Sequence, residues 1–199
     1  MFLPKNNTIA PYIQEIKTTT MTKAAALNQL YRIDQELEAL FRQLAAYDEA
    51  ALNQRPADGG WSVMQVLHHL ILAESASLAY VRKKLSFKPA LKPAGFRAAW
   101  RVMVVKAYFK MPVRFKAPKG VDDAALPERS EYTQTERQWR NSREELKKYL
   151  IQLPDTYFGR EVYKHPFAGR MSLRGMLEFF GMHVRRHRQQ INRVLKEVA

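Results

Sequence analysis

Cysteine is absent from this chain of 199 residues, and that absence removes disulfides, thiolate metal ligands and a cysteine nucleophile together. Any metal ion bound here must therefore be held by nitrogen and oxygen. Long apolar runs are missing too. No stretch approaches the roughly 18 residues that span a bilayer, and the opening MFLPKNNTIAPYIQEIKTTT lacks the successive charged, apolar and small-residue regions of a signal peptide. The expectation is a cytoplasmic protein. Acidic residues are absent from one long segment: between Glu74 and Asp122 there is none, while Arg82, Lys83, Lys84, Lys88, Lys92, Arg97, Arg101, Lys106, Lys110, Arg114, Lys116 and Lys119 all fall there. The formal net charge of +14 is thus largely local.

What is present suffices for one sizeable core. With 46% hydrophobic and 11% aromatic residues and no evident internal repeat, the chain reads as a single domain over residues 1–199. Residues 22 to 52 carry Leu30, Ile33, Leu37, Leu40, Leu44 and Tyr47 at steps of three and four, which predicts a long amphipathic first helix ended by Pro56 and the Gly59-Gly60 pair. In GWSVMQV, Ser62 caps the next helix, Gln65 closes a capping box and Trp61 can staple onto Val66. The apolar stripe of this second helix is Val63, Leu67, Leu70, Ile71, Leu78, Val81 and Leu85.

A connector follows over residues 85–130, punctuated by Pro89, Pro93, Pro112, Pro118 and Pro127, in which only GFRAAWRVMVVKAYFKM can form a useful helix. Tyr132, Thr135, Trp139, Leu146, Tyr149, Leu150 and Leu153 mark a third long helix, stopped by Pro154. Ser172 then caps a fourth that runs close to the end of the chain. Four amphipathic helices, with no strand beyond a short extended piece near Arg160 to Tyr163, predict an all-α four-helix bundle with a long crossover connector between helices 2 and 3. That length would let helices 2 and 3 run parallel.

The chemistry gathers in GMHVRRHRQQINRVL. On a helical wheel Leu173, Met176, Leu177, Phe180, Val184, Ile191, Val194, Leu195 and Val198 share one face, and Arg174, Glu178, Arg185, Arg188, Asn192 and Lys196 the other. His183 and His187 fall in the middle of the apolar face. Two inward imidazoles one turn apart can offer nitrogens to a common divalent ion. The plainer alternative is two core histidines hydrogen-bonded to neighbours; the shared face and spacing favour the metal. In helix 2, His68 and His69 lie near opposite borders of the stripe, and either could supply a further ligand. Glu74 lies among Leu67, Leu70, Ile71 and Leu78, so it should be buried and paired with a Tyr, Trp or Arg. His165, in KHPFAG, reads as an exposed loop histidine.

GWSVMQVLHHLILAE resembles the helix 2 signature of the DinB/YfiT-like superfamily, a Trp-Ser cap followed by a metal histidine just before a Leu. HPFAGRMSLRGMLEFFGMHVRRHRQQINRV resembles its C-terminal signature, a Gly-containing loop leading into HxxxH and then a Gln-Ile pair. The resemblance selects His69 over His68 and implies a divalent ion, commonly nickel or zinc, on His69, His183 and His187. It also implies a homodimer and a small-molecule substrate. The reaction it implies is either hydrolysis or transfer of a low-molecular-weight thiol cosubstrate to a small electrophile.

A binding function is the alternative. Phe87, Phe96, Trp100, Tyr108, Phe109 and Phe115 are interleaved with the basic residues of the connector, and such a mixture can meet nucleic acid or an anionic membrane surface. Arg97 and Arg101 project nearly opposite Lys106 and Lys110, so no single basic stripe forms. The favoured reading is a covering segment that buries its aromatics on the bundle and leaves its lysines in water.

Overall fold

The computed structural model describes residues 22–111 and 117–198. Pro112, Arg114, Phe115 and Lys116 of the connector and the N-terminal opening lie outside the described residues. The first predicted helix is divided. Helix α1 spans Lys23–Leu44, capped by the Thr22 hydroxyl, and the short α2 spans Glu49–Asn53. The break is local chemistry: the Asp48 carboxylate accepts from the Ala51 amide at 2.7 Å and so starts a new helix where periodicity alone suggested continuation.

Helix α3 (Val63–Ser86) begins at the expected capping box, with the Gln65 amide donating to the Ser62 hydroxyl and the Ser62 amide to the Gln65 side chain. Helix α4 (Phe96–Lys110) lies in the connector, α5 spans Tyr132–Gln152 and α6 spans Leu173–Val198, begun by the Ser172 hydroxyl accepting from the Gly175 amide. The extended piece expected near Arg160 to Tyr163 meets a strand only at Tyr163, and that strand is half of a hairpin. Strand β1 (Tyr163–His165) pairs antiparallel with β2 (Gly169–Met171), and Gly169 at φ +86° occupies the turn conformation that side chains disfavour.

Helices α1, α3, α5 and α6 form the four-helix bundle. Helix α1 packs on α5 and α6, and α3 packs on the same two, leaving α1 and α3 at opposite corners. One continuous apolar core joins them, with Trp139, Phe158 and Phe180 fully buried. Among the described residues no helix is long and apolar enough to cross a membrane.

Helix α4 lies over α6 and β2. Gly175 permits the approach, because a Cβ there would stand 3.0 Å from Val102. Arg186 fixes the end of α4 by donating to the carbonyls of Phe109 and Met111 at 2.9 Å each, groups that a helix C-terminus leaves without helical partners. The expectation that this segment hides its aromatics is overturned for Phe87, Phe96 and Trp100. It buries Ala98 and Val105 and tucks Phe109 partly under, while Phe87, Phe96 and Trp100 are exposed. Phe96 and Trp100 stand one turn apart, on the side of the helix opposite Ala98 and Val105, so only one of the two groups can face the bundle.

Candidate metal centre

Helix α3 carries His69 inward and α6 carries His183 and His187 one turn apart, and the three rings meet where these helices pack. The His183 Nε2 atom lies 3.1 Å from His69 Nε2 and 3.0 Å from His187 Nε2. His69 and His183 are buried, and His187 is partly exposed.

Second partners decide which nitrogens are available. His69 Nδ1 lies 2.6 Å from the Val121 carbonyl; a carbonyl only accepts, so Nδ1 holds the proton and Nε2 presents its lone pair. His187 Nδ1 likewise donates to the Gln190 side-chain oxygen at 2.9 Å. His183 lacks an equivalent, since its buried Nδ1 has no hydrogen-bond partner. Neither neutral tautomer of His183 satisfies its surroundings: a proton on Nε2 reaches one of two facing lone pairs, and a proton on Nδ1 sets three lone pairs against one another.

A cation among the three nitrogens removes that conflict. Tetrahedral donors bonded to zinc at about 2.0–2.1 Å stand about 3.3–3.4 Å apart, close to the 3.0 and 3.1 Å from His183 to its two neighbours. The donor set fits a divalent ion that favours imidazole.

Burial also keeps the rings uncharged. It pushes His187 down to about 3, with the neighbouring His69 adding to the effect. His183 is held well below the usual histidine range, first by burial and then by His187 and His69. Burial lowers His69 too, opposed by its bond to the Val121 carbonyl. Neutral imidazole is the form that binds metal.

Aromatic rings enclose the cluster. Trp61 lies against His69 with centroids 4.9 Å apart, Phe179 stacks on His183 at 5.1 Å, and Phe109 of α4 approaches His183 at 5.6 Å. Trp61 is held by its indole N–H, which donates to Asp123 at 2.8 Å. The connector therefore contributes three times: Phe109 walls the site, Val121 orients His69 and Asp123 holds Trp61.

A model of the DinB superfamily matches residues 29–191. The chain belongs to the DinB superfamily. A Geobacillus thermodenitrificans protein named "Putative metal-dependent hydrolase" is 41% identical over 59 residues, 28% of this chain and 32% of that protein. The chain thus aligns with about a third of that relative's length. YfiT from Bacillus subtilis, described as a probable metal-dependent hydrolase with an unusual four-helix bundle topology, aligns at 20% identity. The alignment has a TM-score of 0.52 and covers 87% of this chain and 86% of YfiT. At that identity the likeness speaks for the fold alone.

Within this DinB fold the sequence expectations separate. His69, His183 and His187 come together, whereas His68 turns aside to the hydroxyls of Ser130 at 3.0 Å and Thr135 at 3.3 Å. Glu74 is buried and paired as expected, accepting from Arg143 at 2.6 Å and Trp139 at 3.1 Å.

His165 contradicts its reading as an exposed loop residue. It is buried in β1, where strand alternation turns Tyr163 and His165 inward and Lys164 outward. Its Nδ1 accepts the Phe167 and Ala168 amides at 3.3 and 3.2 Å, which leaves the proton on Nε2. Its ring meets Phe179 edge-on at 4.6 Å, and burial lowers it to about 4. The pairing strand was not foreseen, so neither was the inward turn. Val121 and Gln190 were also missed as orienting groups. A backbone carbonyl leaves no mark in sequence, but Gln190 stood in plain view beside Ile191 without an assigned role.

Proposed function

We propose that His69, His183 and His187 hold a divalent metal ion, zinc or nickel, and that the protein uses it to hydrolyse a small substrate. The observation that carries this reading is the meeting of three neutral imidazole Nε2 atoms, two with their lone pairs fixed inward by Val121 and Gln190. A metal bound there would lower the pKa of water or a thiol in its open position, generating a nucleophile near neutral pH.

The chain's own residues set the terms. Val121 and Gln190 hold protons on the outer nitrogens of His69 and His187, so neither ring needs to change tautomer. Trp61, Phe109 and Phe179 keep bulk water from the flanks of the cluster, which strengthens electrostatic interactions inside it. The partly exposed edge of His187 marks the side from which a substrate would enter.

Transfer of an external thiol is the second reading, favoured by Arg186. Its charge acts on both His183 and His187 and would suit a thiol that carries carboxylates. The chain has no cysteine to serve instead.

Elemental analysis of protein purified without a metal-affinity tag should find near-stoichiometric divalent metal, and the His183→Ala, His187→Ala double variant should lack it. Metal retained by the double variant would overturn the assignment. A screen of metal-loaded protein against small esters, amides and electrophiles, with and without added thiols, should show turnover independent of thiol. Turnover only with thiol would replace hydrolysis by transfer.

A further inference from the structure

The outward face of α4 has the chemistry of a helix lying in a lipid interface. Phe96, Trp100, Met103 and Ala107 recur at steps of four, three and four, forming one stripe directed away from the buried Ala98 and Val105. Phe96 is 82% exposed, Met103 62%, Trp100 56% and Val104, beside the stripe, 44%. A stable globular surface rarely shows so many large apolar groups along one helix without using them.

Cations flank this stripe on both sides. By helical geometry Arg97 projects about 100° from Phe96 in one direction, and Lys106 and Lys110 project about 80° and 40° in the other. All three are exposed. The apolar keel thus has Arg97 on one side and Lys106 and Lys110 on the other, while Arg101 is half-buried and paired with Glu161. No acidic residue lies on α4 itself.

We propose that α4 docks the protein onto anionic lipid bilayers, with Phe96, Trp100 and Met103 entering the interface and Arg97, Lys106 and Lys110 meeting the headgroups. In-plane amphipathic helices bind by this combination of apolar area and flanking positive charge, and long basic side chains reach headgroups while their stems cover apolar surface. The charge pattern selects the occupant. A second copy paired face to face would bring cationic rows together with no acid on α4 to offset them. Residues 1–21 set Lys5 and Lys17 against the single Glu15, so that segment is not complementary either. Nucleic acid draws most of its affinity from cations on its phosphates, and this face offers only three, at the borders of an apolar stripe.

The docked helix would not be remote from the metal centre. Its outer face carries Trp100, and its inner face sets Phe109 against His183. The docking proposal itself does not depend on what occupies the three histidines.

Flotation of the full chain with vesicles tests the idea. Vesicles of phosphatidylcholine containing about one third phosphatidylglycerol should carry the protein, pure phosphatidylcholine should carry about tenfold less, and salt near 0.5 M should release most of it. Phe96→Ser with Trp100→Ser should weaken binding about tenfold, as should Lys106→Glu with Lys110→Glu, with circular dichroism unchanged in both variants. Trp100→Phe should retain binding but lose the blue shift of tryptophan fluorescence on adding anionic vesicles. The proposal is overturned if anionic vesicles carry no protein at low salt, or if either double variant floats like the parent. It is equally overturned if light scattering shows that the apolar face is consumed in a dimer, or if short single-stranded RNA binds while vesicles do not.

Discussion

Two groups of polar side chains lie within the same bundle, and they differ in how their charges and donors are matched. Glu74, Arg143, Trp139 and the half-buried Asp34 pair opposite charges and donors with acceptors: Arg143 donates to Glu74 at 2.6 Å and to Asp34 at 3.2 Å, Trp139 donates to Glu74 at 3.1 Å, and only Arg143 Nε is left without a partner. The set ties α3, α5 and α1 together. The three histidines between α3 and α6 have the opposite character. Their outer nitrogens are partly satisfied, but their inner nitrogens face one another with too few protons to go round. Opposite charges meeting across helices mark a structural cluster; an inward-facing surplus of lone pairs is the mark of a site for something else.

The largest expected effect tests this contrast directly. Glu74→Ala should lower unfolding stability by about 3–5 kcal/mol in urea titrations, because it strands the buried Arg143 charge. In metal-free protein, His183→Leu should change stability by no more than about 1.5 kcal/mol, since an apolar ring-sized replacement removes a conflict. A loss from His183→Leu as great as from Glu74→Ala would erase the distinction.

Acid should act through the histidines next. The folded His165 pKa, about 4, lies below the ordinary value of 6.5, so the unfolded chain takes up the proton first. Its stabilising contribution is complete above pH 6.5, declines as pH falls toward 4 and amounts to about 3 kcal/mol over that window. The triad shifts in the same direction. His165→Asn should therefore flatten the fall in stability between pH 6.5 and 4 in metal-free protein, whatever its stability at neutral pH. An unchanged slope would remove His165 from the account.

A smaller effect belongs to Gln190. Gln190→Leu leaves His187 Nδ1 without its acceptor and should weaken metal affinity by about 10–100-fold, measured by competition with a chelating dye. An unaltered affinity would show that the tautomer needs no such support. The exposed pair Arg82–Glu145, at 3.4 Å, completes the series: Arg82→Gln should cost no more than about 0.5 kcal/mol. A larger loss would show that charge pairing, rather than burial, governs these contacts.

Several of these features were legible in the order of residues. The capping box at Ser62 and Gln65, the Ser172 start of α6 and the stop at Pro154 depend on neighbours in sequence, and all three appear where expected. So does the inward direction of His183 and His187, which follows from helical periodicity. The break at Asp48 was hidden because helix-forming residues continue on both sides of it. His165 was misread because its burial depends on a hairpin whose second strand has only three residues. The aromatics of α4 were misplaced for a related reason: composition supplies both small and large apolar groups, and packing selects which of them face inward.

The sequence by itself determined that this would be a helical bundle without a thiol of its own and that two histidines of its last helix would share an apolar face. Those properties follow from residue identity and from contacts within one or two turns. Tertiary structure brought His69 to them, as the family resemblance implied and helical periodicity left open; it alone decided that Val121 fixes the His69 tautomer and that α4 turns Phe96 and Trp100 away from the core. Each is a contact between segments far apart in the chain, settled by which surfaces approach closely enough to exclude water.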